Sequence, residues 1–349
     1  MLDWKARIAV ATIAGVMLGC GDDDTTAALD GGPRQDGSAP IDASAPLDAS
    51  TPIDALVAMP DAFTPVDAGP PVDPLGGSVE VTRVQGGFGF VEGPQWLPER
   101  GVLIFSDIPR NRIHQLAPPS TITLFAMPSG GSNGLAIDGE GRVLRAEHVG
   151  RRVAREQSPG STTWVPLATE IDGDTLSSPN DLIVARDGTI YFTDPPYGLE
   201  GRAQETDFHG VYRIDPSGTL HVEDRGALDT RPNGIALSPD ESLLYVADSQ
   251  HGRVRVFDVE DDGSLSPPRV LTDDTPGSDG LAVDVAGNLY VTSSRGVMVL
   301  RPDGSEWGTI EIDEQPANCA FGDADRRTLY VTARTGLYRV SGLVIAGIP

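Results

Sequence analysis

The chain has 349 residues and a net charge of −25, from 51 acidic and 26 basic side chains. Nothing in the sequence resembles a basic groove, so nucleic acid is not expected as a partner. The acidity is concentrated: residues 21–79 hold eleven aspartates and one arginine, and the rest of the chain is acidic but mixed.

The first twenty residues carry Lys5 and Arg7, an apolar stretch from Ile8 to Gly19, and then Cys20. That stretch is too short to span a bilayer as a mature helix and reads as an export signal over residues 1–19. Val-Met-Leu-Gly-Cys resembles a lipobox, which would make a lipidated Cys20 the mature N-terminus. The expectation is export, with a lipid anchor in a bacterial membrane as the only membrane contact. Residues 20–77 form a linker. Asp recurs there at 30, 36, 42, 48, 54, 61, 67 and 73 among Ala, Pro, Ser and Thr. So little apolar surface cannot offset the entropy of ordering, and the segment is expected to be disordered, stiffened by Pro and extended by like charge.

From residue 78 to 349 a single all-β domain is predicted. Glu92, Asn133, Asn180, Asn233, Asp279 and Asn318 each stand just ahead of a short apolar run, a turn, and a second, more strongly apolar run, at spacings of 41, 47, 53, 46 and 39 residues. A period in the forties with a Gly- or Asp-containing turn marks one propeller blade per unit, so the predicted fold is a six-bladed β-propeller. The second runs (VLIFSD, TIYFTD, LLYVAD, NLYVTS, TLYVTA) are rich in aromatic and β-branched residues, and hairpins such as GVYRIDPSGTLHVE come after them, giving about four strands per unit. An unpaired edge strand invites aggregation, so residues 78–85 are expected to pair with TGLYRVSG near the C-terminus and close the ring. Blades begin their innermost strand at a central channel, where the six polar residues would converge. Two carboxylates with several amide carbonyls make an oxygen-rich nest suited to one hard divalent cation such as Ca2+.

Other residues read as structural. Cys319 opens a predicted inner strand and is expected to be a buried, inert thiol; with Cys20 acylated, no intramolecular disulfide forms. Asp107, Asp194 and Asp248 end second runs and are expected to accept hydrogen bonds from loop amides. Metal capture by a set of the five histidines is not expected, and no Ser-His-Asp constellation stands out.

EGPQW, FSDIPRNRI, SNGLAID, EHVGRRV, SPNDLIV, TDPPYGL, GVYRIDPSG, RPNGIALSPD, LYVADS, SDGLAVD and LYVTARTGLYR resemble, in order and spacing, the gluconolactonase, regucalcin and luciferin-regenerating-enzyme family over residues 85–340. The resemblance implies a six-bladed propeller with one divalent cation in its channel and a lactone-hydrolysing activity, sugar lactones leading. It places the family's metal ligands on Glu92, Asn180, Asn233 and Asp279, all retained, and gives Asp279 the further role of general base. Asn133, His148 in EHVGRR and Tyr197 in DPPYG become candidate substrate contacts, while Asn318 reads as channel structure. Ca2+ is the leading ion, with Zn2+, Mn2+ or Mg2+ as alternatives, and the protein is expected to be a monomer. Two other readings stay open: a phosphotriesterase-like hydrolase on the same site, and a non-catalytic, membrane-tethered interaction propeller. Loops between 148 and 178 and between 197 and 210 would set the substrate.

Overall fold

A computed structural model describes residues 72–348. The expected signal peptide, Cys20 and nearly all of the linker lie outside the described residues. Those described form six antiparallel four-stranded sheets, each running from an inner to an outer strand. Blade I comprises Val91–Leu97, Val102–Asp107, Arg112–Ala117 and Thr121–Ala126. Blade II comprises Ser132–Ile137, Val143–Glu147, Arg152–Glu156 and Trp164–Ala168. Blade III consists of Leu182–Val184, Ile190–Asp194, His209–Ile214 and Leu220–Gly226. Blade IV has Pro232–Leu237, Leu243–Asp248, Arg253–Asp258 and Arg269–Thr272. Blade V has Leu281–Val283, Leu289–Ser293, Gly296–Leu300 and Glu306–Ile310. Blade VI takes Asn318–Gly322, Thr328–Ala333 and Gly336–Ser341 from the end of the chain and its outer strand, Glu80–Gly86, from the beginning.

That last pairing is the expected closure, with Glu80 opposite Ser341 and Gly86 opposite Gly336. Each inner strand touches the inner strands of both neighbouring blades, so the ring is complete. The chain joins the ring slightly ahead of residue 78: Pro74 O accepts the Val344 N–H at 3.1 Å, and Leu75 packs on the core of blades V and VI.

Apolar side chains collect in six layers, one between each pair of adjacent blades. Leu97 and Ile104 of blade I meet Leu135 and Val143 of blade II, for example, and Tyr191 and Val211 of blade III meet Leu244 and Phe257 of blade IV. A second strand therefore has an apolar layer on both faces, which is why those runs are continuously apolar instead of alternating. The turns carry the chemistry their residues predict. Gly188 takes φ +92°, and Asp187 accepts the Thr189 N–H at 2.8 Å.

At the axis the blades approach backbone to backbone. A Cβ on Gly93 would lie 2.1 Å from Asn133 O, one on Gly134 2.3 Å from Asp181 Oδ1, one on Gly234 2.3 Å from Asp279 O, and one on Gly280 2.1 Å from the Asn318 side chain. Gly134, Gly234 and Gly280 use the proximity to donate N–H bonds to the carbonyls of Asn180, Asp279 and Ala317, at 2.8, 3.0 and 2.7 Å. Gly234→Ala is expected to force two blades apart and to cost about 2 kcal/mol in urea unfolding. Gly139→Ala, whose Cβ would meet nothing within 4 Å, serves as the control and should leave the midpoint unchanged. Equal midpoints for both variants would mean that the inner strands yield easily.

Candidate active site

In blades I to V, regular pairing breaks down at the residue that the repeat delivers to the channel. Register with the second strand shifts across Glu92–Gln95, Ser132–Leu135 and Pro232–Ile235, while the inner strands of blades III and V begin only at Leu182 and Leu281. Irregularities of this kind re-aim side chains beside active sites. Blade VI differs, since Asn318 pairs regularly with Thr332. Hydroxyls of second strands fix the main chain at these points: Ser106 Oγ donates to Asn133 O and Thr193 Oγ1 to Asn233 O, each at 2.7 Å across a blade boundary.

Three buried carboxyls lie within electrostatic reach of one another. Glu92 is buried and accepts the Gly93 N–H at 2.8 Å. Burial first, then the neighbouring Asp279 and Asp181, push its carboxyl well above the usual range. Asp279 is raised likewise, by burial and then by Asp181, with a hydrogen bond from Asn233 opposing. Asp181 accepts Leu182 N–H at 3.0 Å and Asn318 Nδ2 at 3.2 Å, and burial still pushes it up to about 6. No basic group is among those acting on any of the three. Asp181 is the member that sequence reasoning missed. It stands where four repeats place Gly93, Gly134, Gly234 and Gly280 and the sixth places Cys319, and an acidic residue in that position is the signal that marks it.

The amides divide by use. Asn233 Nδ2 donates to Ser249 Oγ at 3.0 Å, and the Asn180 side chain makes no hydrogen bond among the described residues. Asn318 is spent internally, its Nδ2 on Asp181 and its Oδ1 on the Cys319 N–H at 2.8 Å, in line with a structural role. Asn133 Nδ2 lies 3.2 Å from His148 Nε2. Burial, followed by the Arg202 charge, lowers His148 to about 4, so its ring is neutral at pH 7. Tyr197 is 47% exposed at the mouth, its hydroxyl beside Ser249 and Asn233.

Elsewhere the expected structural roles hold. Asp107 accepts from Gly89 and Phe90, Asp194 from Ser177 and Ser178, and Asp248 from Arg231, each fastening the loop into its own blade's inner strand. Cys319 is buried, and burial pushes its thiol far up. A cleft of about 320 Å³ between the outer edges of blades V and VI, lined by Leu75, Val79, Val81 and Ile310, lacks any comparable cluster.

Buried carboxylates without counter-charge are costly, and a divalent cation among them would remove the cost. Glu92, Asp279, Asn180 and Asn233 are oxygen donors and fit a hard cation. Among the described residues no three His, Cys, Asp or Glu side chains make a metal-holding group by themselves.

Residues 90–335 match the family described as the SMP-30/Gluconolactonase/LRE-like region. The chain is 32% identical over 280 aligned positions to a gluconolactonase of Zymomonas mobilis, covering 71% of this chain and 77% of the relative. It is 27% identical over 254 positions to pentonolactonase XacC of Haloferax volcanii, covering 70% and 81%. The solved structure of a gluconolactonase from Xanthomonas campestris superposes with a TM-score of 0.71 at 32% identity, covering 77% of this chain and 91% of that one.

A carboxyl raised in the folded state holds its proton more tightly there than in the unfolded chain. Its contribution to stability is full at low pH and is lost as pH rises through the folded pKa. In chelator, Asp279→Asn should therefore melt several degrees above wild type at about pH 8 and close to it at about pH 5. Saturating Ca2+ should reverse the order at the higher pH. A variant advantage that is the same at both values would mean that the Asp279 charge is not the source of the strain.

Proposed function

The chain belongs to the SMP-30/gluconolactonase/LRE-like family, and on that premise we propose that it is a metal-dependent hydrolase that opens lactone rings, with sugar lactones as its substrate class. The observation that carries the reading is the group of Glu92, Asp181 and Asp279, buried together with amide donors and no basic partner. A gluconolactonase and a pentonolactonase among the relatives support an aldonolactone over other esters. Neither a phosphotriesterase activity nor a non-catalytic binding role gains support from them.

Glu92, Asn180, Asn233 and Asp279 would hold one divalent cation, Ca2+ being favoured by an all-oxygen set containing neutral amides. When bound, the cation supplies Lewis acidity toward the lactone carbonyl oxygen. With such a counter-charge present the Asp279 carboxyl would be ionised and would accept a proton from the water that attacks the acyl carbon; the ring C–O bond then breaks, and the proton held by Asp279 passes to the departing ring oxygen, giving the hydroxy acid. Ser249 holds the Asn233 amide by its nitrogen and leaves the amide oxygen free as a donor atom. Asn318 restrains Asp181 by a hydrogen bond from its amide nitrogen. Tyr197, half-exposed with its hydroxyl beside Ser249 and Asn233, would border the bound lactone.

In a lactonase assay titrated with Ca2+, Asp279→Asn should lower kcat by roughly 100-fold or more while retaining an oxygen toward the cation. Asn180→Ala and Asn233→Ala should instead weaken cation affinity, with excess Ca2+ restoring much of their rate. Full turnover by Asp279→Asn would move the base elsewhere. An inactive, Ca2+-loaded wild type would remove the lactonase reading.

The proposal extends to location, from the expected signal and Cys20: the mature chain is lipidated at Cys20 and partitions with membranes. Labelling with a fatty-acid analogue should mark wild type and spare Cys20→Ser. Label on neither form would leave plain secretion.

A further inference from the structure

Two asparagines of the ring end in opposite states. Both amide atoms of Asn318 are paired inside the protein, with Asp181 and with Cys319 N–H. Asn133, only 4% exposed, has one amide atom against His148 and the other, Oδ1, with no hydrogen-bond partner. An enclosed, unpaired carbonyl oxygen carries a standing penalty, and native proteins retain one where a bound group completes it. Asn133 lies between Glu92 and Asn180 in the order of inner strands, next to the oxygen cluster.

His148 is itself held. The Arg202 guanidinium donates to the carbonyls of His148 at 2.9 Å, Val149 at 2.8 Å and Gly198 at 2.6 Å, tying the residues around the ring to the loop that carries Tyr197. Gly198 packs so closely that a Cβ there would lie 2.4 Å from His148 Cβ. A neutral imidazole can offer either a donor or an acceptor to the facing amide. It therefore fixes that amide without adding charge to a site already rich in it.

We propose that Asn133 determines specificity by pairing with a ring hydroxyl of the lactone, and that His148 is the positioning residue that holds its amide for that contact. A hydroxyl both donates and accepts, so it completes the free edge of the amide in either orientation. An unsubstituted lactone ring would leave that edge unpaired. The inference rests on the lactonase reading and assigns to Asn133 and His148 the discrimination between hydroxylated and bare lactone rings.

The test compares full-length, Ca2+-loaded wild type with Asn133→Ala, His148→Phe and His148→Gln on δ-gluconolactone and on δ-valerolactone, the same ring without hydroxyls. Asn133→Ala should lose about 10-fold in kcat/KM on gluconolactone, mostly through KM, and less than about 2-fold on valerolactone. His148→Phe should reproduce that selective loss, and His148→Gln, whose amide can still face Asn133, should recover most of it. Circular dichroism checks folding; if Asn133→Ala does not fold, the two His148 variants carry the comparison. Equal losses on both lactones, or no loss on either, overturn the proposal. So does a wild type that opens valerolactone but not gluconolactone, which leaves lactonase activity standing. A wild type that opens neither overturns the lactonase reading itself.

Discussion

Where neighbouring blades meet at the axis, Gly93, Gly134, Gly234 and Gly280 bring one backbone against the next with no room for a Cβ. The residues just ahead of these glycines are Glu92, Asn133, Asn233 and Asp279, the positions at which functional groups collect. Close approach and local loss of pairing are two sides of one arrangement. A regular antiparallel strand would alternate its side chains between two apolar layers, and in blades I to V the irregular start releases one residue from that alternation.

Electrostatics then works against the ring. Three buried carboxyls with raised pKa values and no cationic partner are a cost that the apolar layers between blades must offset. Strain of this kind is common where a site has to be ready for a ligand. Asp181 adds to it in the place where glycine would have been neutral. Asn318 answers part of that addition with an amide hydrogen bond.

The architecture was legible because propeller blades repeat. The spacing of Glu92 through Asn318 gave the blade number, and the strong second runs gave the strand that is apolar on both faces. Ring closure was legible from the physics of edges, since an N-terminal strand without a partner needed the C-terminal hairpin. Legibility ended where contacts depend on side-chain direction. Asp181 follows the repeat residue Asn180 in SPNDLIV, and only the folded ring brings its carboxyl within electrostatic reach of Glu92 and Asp279. The pairing of Asn133 with His148 joins the start of an inner strand to the residue after its hairpin partner, a contact that repeat spacing does not encode. The junction near Pro74 was hidden for a different reason: its Pro and Asp composition continues that of the linker, and packing alone distinguishes it.

Glu80–Gly86 comes early in the chain, and its partner Gly336–Ser341 comes almost last. During synthesis the early strand therefore has nothing to pair with until nearly the whole chain has been made. Five blades can assemble from local hairpins, but the sixth requires a contact between residues more than two hundred positions apart, the slowest class of contact to form. Until then the apolar layers on either side of blade VI remain open, the kind of exposed surface that favours aggregation. The same pairing that makes the finished ring continuous thus delays its completion until the C-terminal hairpin has emerged.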